Sequence, residues 1–121
     1  MRTLIDANVI LRYLLDDNKE MADKADVTIQ KGACTIPEVL AEVVYVLKGV
    51  YNMKRDEIAD CILGIVEIVE MEHSKVMIEA IGIYKEKNLD FVDCILIAFN
   101  HVEEYKVFSF DKKSNRELYL N

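Results

Sequence analysis

The chain is poor in the residues that break regular structure. Of its 121 residues four are glycine and one is proline, which leaves little room for long loops. No two glycines stand close together, so a Walker motif and a dinucleotide fingerprint are both excluded. Cys34, Cys61 and Cys94 are far apart, odd in number and outside any C-x-x-C pair. They read as reduced thiols packed in a core, not as a disulfide framework or a zinc site. His73 and His101 are the only histidines; they carry no metal-ligand spacing and sit near no nucleophile signature. That argues against Ser-His-Asp and Cys-His chemistry. No apolar run approaches the roughly 20 residues of a membrane span. Asp6 interrupts the only apolar stretch that would suit a signal peptide, so the expectation is a cytoplasmic protein. With no linker, repeat or low-complexity tract, residues 1–121 read as one domain.

What is present suits a packed globule. Hydrophobic residues make up 52% and charged residues 31%, which excludes a disordered chain. The net charge of −7 argues, taken alone, against broad non-specific binding to nucleic acid. It does not exclude an enzyme that reaches a phosphodiester through a bound cation, because a divalent metal inverts the electrostatics of an acidic cluster.

Short apolar runs alternate with helical patterns. TLI at 3–5 reads as a strand ending at Asp6, and NVILRYLL from Asn8 to Leu15 as a helix. A second helix is expected over 19–30, with Gly32 just past its end, then a brief strand over 33–36. Pro37 opens a helix over 38–48. Further helices are expected over 55–66, 74–87 and 90–104, with Val69 in a short strand. KVFSF at 106–110 reads as the last strand, closed by Asp111. This alternation predicts a parallel sheet covered on both faces, an α/β/α sandwich.

The acidic residues carry the functional signal. From Phe91 to Phe99 every residue but Asp93 is apolar, and Asp90 sits one helical turn earlier. A helix apolar all round is usually buried, and a buried carboxylate is costly unless compensated. In an open parallel sheet, ligands bind beyond the carboxyl ends of the strands. Asp6 follows the first strand, Asp111 follows the last, and Asp93 begins the helix that feeds the last. If those strands are neighbours, three acids converge, and hard oxygen ligands suit magnesium or manganese. Singly, each signal is weak. Asp6 has the position of a turn residue or helix cap, and Asp90 that of an N-cap. In PEVLAEVVYVLKGV the apolar stripe is Val39, Leu40, Val43, Val46 and Leu47, which leaves Glu42 on the solvated side.

In combination, LIDANVILRYLL, IPEVLAEVVYVLKGVY, LDFVDCILIAF and VFSFD resemble the PIN-domain family, and most closely its VapC toxin branch. The resemblance covers nearly the whole chain. It implies a three-layer α/β/α sandwich around a parallel sheet. It implies cleavage of RNA that depends on magnesium or manganese, with Asp6, Glu42, Asp93 and Asp111 as the acidic cluster. Asp6, Asp93 and Asp111 would be metal ligands, Asp90 an accessory acid, and Asn8 and Ser109 orienting groups. It also implies a small antitoxin partner and a homodimer. The basic rim available to RNA comprises Arg12, Lys112, Lys113 and Arg116, which on charge pattern alone are equally solvated surface residues. One departure is that KKSNRELYLN follows Asp111 where many relatives carry a further helix and strand. It bears on the sheet edge and the dimer surface more than on the acids.

Three other readings compete. A haloacid-dehalogenase-type phosphatase also places an Asp after its first strand, but wants a second Asp two residues on, where this chain has Asn8. A receiver domain wants an acidic pair near the first strand, and Asp16 and Asp17 lie too far down the first helix. A non-catalytic PIN-like scaffold that binds RNA or protein would be marked by lost acids, and here all are present.

Overall fold

The computed structural model describes residues 1–119. The chain divides into two compact units, Met1–Glu72 and His73–Asn121.

The first unit opens with strand β1 (Thr3–Leu4), followed by helices α1 (Ala7–Leu15) and α2 (Lys19–Gln30). Strand β2 (Ala33–Cys34) and helices α3 (Pro37–Gly49) and α4 (Arg55–Ile68) complete it. The helices begin where the chain supplies groups for their unpaired amides. Asn18 accepts from the Met21 amide at 3.1 Å, and the Glu57 carboxylate accepts from the Lys54 amide at 3.0 Å. Pro37, whose missing N–H costs nothing in a first turn, opens α3. Gly32 turns the chain from α2 into β2 at φ +107°, a backbone state that a side chain would strain.

β1 and β2 pair in parallel, Thr3 opposite Ala33 and Leu4 opposite Cys34. On the other side of β2, Cys34 bridges to Glu70. The buried Thr35 hydroxyl donates to the Ile5 carbonyl at 2.9 Å, tying the ends of the two strands together. Ile10 of α1, Leu40, Val43 and Leu47 of α3, and Ile58, Ile62 and Ile65 of α4 form the core. On α3 the buried stripe is Leu40, Ala41, Val43, Val44 and Leu47, while Val39 and Val46 are only half-buried.

The second unit contains α5 (Ser74–Glu86), α6 (Phe91–Glu103) and the single turn α7 (Lys112–Asn115). α5 packs on α6 through Val76, Met77, Ala80 and Tyr84 on one side and Phe91, Cys94, Ile97 and Ala98 on the other. The Tyr84 and Phe91 rings meet edge to face, 5.6 Å between centroids. α6 is not buried all round: Val92 and Leu96 are exposed.

The architecture is α/β and mostly helical, but the sheet is smaller than the sequence predicts. The expected strand near Val69 is one bridge, and Lys106–Phe110 forms no strand ladder among the described residues. Side chains do alternate along it: Val107 and Ser109 are half-buried, whereas Phe108 and Phe110 are 85% and 90% exposed. Alternation marks a segment fit for a sheet, but a strand exists only where a second backbone pairs with it.

Candidate active site

In the first unit the chain leaves β1 through the buried Ile5 and turns into α1 at Asp6. Asp6 is the N-cap of α1, and its Oδ1 accepts from the Val9 amide at 3.1 Å. Capping holds the carboxylate at the strand's carboxyl end, with the rest of the group exposed. Asn8 is exposed in the first turn of α1 and, with Arg12, lines a hollow of about 180 Å3 against Met21 and Thr28 of α2. Glu42 stands exposed on α3, away from its buried stripe, as the helical period requires.

Arg12 has a local role. Its Nη1 donates to both Asp17 oxygens, at 2.8 and 2.9 Å, and its Nη2 reaches the Tyr51 hydroxyl at 3.5 Å. The Tyr51 hydrogen bond and then the Asp17 charge raise the guanidinium pKa. The group is thus held by neighbours within its own unit.

In the second unit Asp90 occupies the N-cap position of α6, but its carboxylate makes no capping hydrogen bond. Asp93, in the first turn of the same helix, is half-buried. Burial pushes its carboxyl above the ordinary aspartate range, and the charges of Asp111 and Asp90 push it further. The three acids of this unit therefore share one electrostatic neighbourhood.

Asp111 shows the opposite behaviour. It caps α7: Oδ2 accepts from the Ser114 hydroxyl at 2.7 Å and Oδ1 from the Lys113 amide at 3.2 Å. Those bonds, led by Ser114, hold its carboxyl below the ordinary range. Ser109 fixes the approach to this turn, accepting the Asp111 amide on Oγ at 3.0 Å and the Asn115 side-chain amide on its carbonyl at 2.9 Å.

Two residues that position this segment escape a search for acids. The buried Asn100 side-chain amide donates to the Tyr105 carbonyl at 2.8 Å and the Tyr119 carbonyl at 3.2 Å. Its Oδ1 accepts from the Tyr119 amide at 2.6 Å. One side chain thereby ties together both ends of the stretch that carries Ser109 and Asp111. His101 adds contacts to Glu79 Oε2 at 2.7 Å and the Glu117 carbonyl at 2.6 Å, and stacks on Tyr119 at 3.8 Å. A lone Asn on an apolar helix face was the available signal, because a buried amide needs partners. Ser114 was legible too: Asp111 and Ser114 have the spacing of a capping box.

Among the described residues no group of three or more His, Cys, Asp or Glu side chains is drawn together as a ready metal site. The donors on offer are carboxylate oxygens, which suit a hard divalent cation, and the raised Asp93 carboxyl is the kind of charge crowding a cation relieves.

The PIN-domain family model matches residues 3–116. The chain belongs to the PIN-domain family. No curated protein and no solved structure matches it. PIN domains are generally nucleases that use divalent metals, so this domain's chemistry is nuclease chemistry in those general terms. Among the described residues no helix is long and apolar enough to cross a membrane.

Proposed function

We propose that residues 1–121 act as one PIN nuclease domain, a magnesium- or manganese-dependent endoribonuclease, and that it is the VapC-type toxin of a toxin–antitoxin pair. The observation that carries this reading is the state of Asp93: a half-buried carboxyl raised by burial and by two neighbouring acids. An arrangement that costs stability in the empty protein has a purpose if a cation completes it.

Asp6, Glu42, Asp93 and Asp111 are the catalytic acids in this reading. Asp6, Asp93 and Asp111 would hold the cation and Asp90 would lend charge beside them. A divalent cation there supplies positive charge to the phosphate and makes a water easier to deprotonate. The chain's own residues do the rest. Ser114 and the Lys113 amide keep Asp111 ionised and aimed. Ser109 holds the backbone of that turn, and Asn8 orients groups beside Asp6. Glu42, exposed and outside the core, is available to accept the proton of the attacking water.

The toxin role further calls for a small antitoxin and a homodimer. Tyr45 on α3 and Val50 just past its end are 50% and 68% exposed and offer apolar surface to a partner. Purified protein freed of any partner is expected to cut RNA with magnesium or manganese and to stop in chelator. Asp6→Asn should abolish cutting while the circular dichroism spectrum is unchanged. Equal cutting by wild type and Asp6→Asn would overturn the assignment.

A further inference from the structure

The chain carries a net charge of −7, yet one hollow beside its acids has three cations and a single acid among its six lining residues. It has a volume of about 180 Å3 and is lined by Lys87, Asn88, Leu89, Lys113, Arg116 and Glu117. All six belong to the second unit. Lys87, at the C-terminal cap of α5, is exposed, as are Asn88, Lys113 and Arg116. Leu89 is buried and forms the floor. The Glu117 carboxylate lies 3.6 Å from Lys87 Nζ, so the one acid in the lining is already matched by one of the three bases. Lys113 and Arg116 are the other two bases of the lining, one helical turn apart, and Lys113 also lies within reach of the Asp111 charge.

The walls of the hollow are the two stretches that lead to the acids. Residues 87–89 run directly into Asp90, and Lys113 follows Asp111 in the same capped turn. The Lys113 charge acts on Asp111, and Asp111 and Asp90 both act on Asp93. A positive hollow therefore lies next to a negative cluster, with Asp90 and Asp111 at the boundary. A cation at the acids would attract one phosphate. A strand bound there would need a second positive site for an adjoining phosphate, or the surrounding negative charge would repel it.

We propose that this hollow is a phosphate-binding subsite for single-stranded RNA, in which Lys113 and Arg116 neutralise backbone phosphate next to the one being cut, with the Asn88 side-chain amide as a neutral donor. It rests on the nuclease reading for the identity of the strand. Arg116 presents a planar fork of donors suited to phosphate oxygens, whereas Lys113 acts as a point charge. Neither geometry reads a base, so the subsite contributes affinity and register, not sequence preference.

The test is binding of a fluorescent single-stranded RNA in chelator, where no metal-dependent cutting occurs, followed by anisotropy over a salt series. In the Lys113→Gln/Arg116→Gln variant, binding should weaken at least tenfold at low salt. The slope of log K against log salt should fall in magnitude by about 1.4, since each single-strand phosphate contact is worth about 0.7. Lys113→Arg, which keeps the charge, should bind within about twofold of wild type. Lys75→Gln serves as the control, at the other end of α5 and roughly 18 Å from Lys87 along the helix. It should bind as wild type does. The loss should be uniform across RNAs of different sequence. An unchanged slope and affinity in the double variant, or displacement of the RNA by poly-glutamate at equal charge concentration, would overturn the subsite. A wild type that binds RNA through these two residues but cuts none with manganese would leave the subsite standing and defeat the nuclease reading. A wild type that cuts RNA while the double variant binds normally would do the reverse.

Discussion

Asp93 and Asp111 are the same side chain in the same unit, and their surroundings drive them apart. Asp93 loses solvent and faces two like charges, so its folded-state pKa rises. The folded protein then binds more protons there than the unfolded chain. Its contribution is therefore favourable in acid and is lost as pH rises past the ordinary aspartate value near 4 and then through the raised one. Asp111 accepts from the Ser114 hydroxyl and the Lys113 amide, and its pKa falls. Its contribution is present above the ordinary value and disappears as pH drops through the lowered one. In chelator at neutral pH, Asp93→Asn should raise the melting temperature, by an amount worth about 1 kcal/mol. Asp111→Asn should lower it. Below about pH 4 the Asp93→Asn gain should vanish, because the wild-type group is then protonated as well. Saturating manganese should invert the Asp93 ranking, since a ligand stabilises only the state that binds it. Melts of wild type and the two variants, at two pH values and with or without manganese, decide these points. If Asp93→Asn melts lower than wild type in chelator, Asp93 is a structural acid. In activity, Asp93→Asn should abolish cutting and Asp90→Asn should weaken it less. The opposite order would show that Asp90 is the ligand.

At the scale of elements, the helices and the two short paired strands were readable, and the last strand was not. Each predicted helix lies within two residues of the observed one at either end, because caps, Pro37 and the apolar period are local signals. The expected strand at 106–110 depended on a partner that no local pattern specifies. What holds that stretch is Asn100, a residue of α6. Asn100→Ala would strand the Tyr105 and Tyr119 backbone groups it now satisfies, at a cost of about 2 kcal/mol. Urea unfolding should report that loss. Hydrogen exchange should report faster exchange at the Tyr119 amide and through 106–118, with α5 and the first half of α6 unaffected. Exchange that accelerates equally everywhere would mean that Asn100 supports the whole unit and not this segment.

On the scale of the whole molecule, the family match runs from residue 3 to residue 116 and spans both compact units. A protein with net charge −7 that works on a polyanion must concentrate its few free bases where they serve. Cleavage should therefore slow steeply with added salt, in parallel with RNA binding. A rate indifferent to salt between low and physiological ionic strength would point to a small substrate. The toxin role makes a separate demand. Affinity purification from the native cell should bring down a small protein whose gene neighbours this one. Finding none, by pull-down or in the gene neighbourhood, would remove the toxin role and leave nuclease activity in place.

The sequence by itself determined the six longer helices, the Asp6 cap and the family. These follow from spacing along the chain: hydrogen bonds to the fourth neighbour, capping side chains, and acids at the ends of apolar runs. It also named the acids. Tertiary structure alone decided what each charge experiences. Arg12 and Arg116 look alike as rim candidates. Arg12 is bound to Asp17 and Tyr51, while Arg116 opens on a hollow with Lys113. Asp90 and Asp93 sit one turn apart, but Asp90 is exposed at the N-cap while Asp93 is half-buried and its carboxyl is raised by that burial. Desolvation and charge–charge energy depend on neighbours brought in from distant parts of the chain, so no window of sequence contains them.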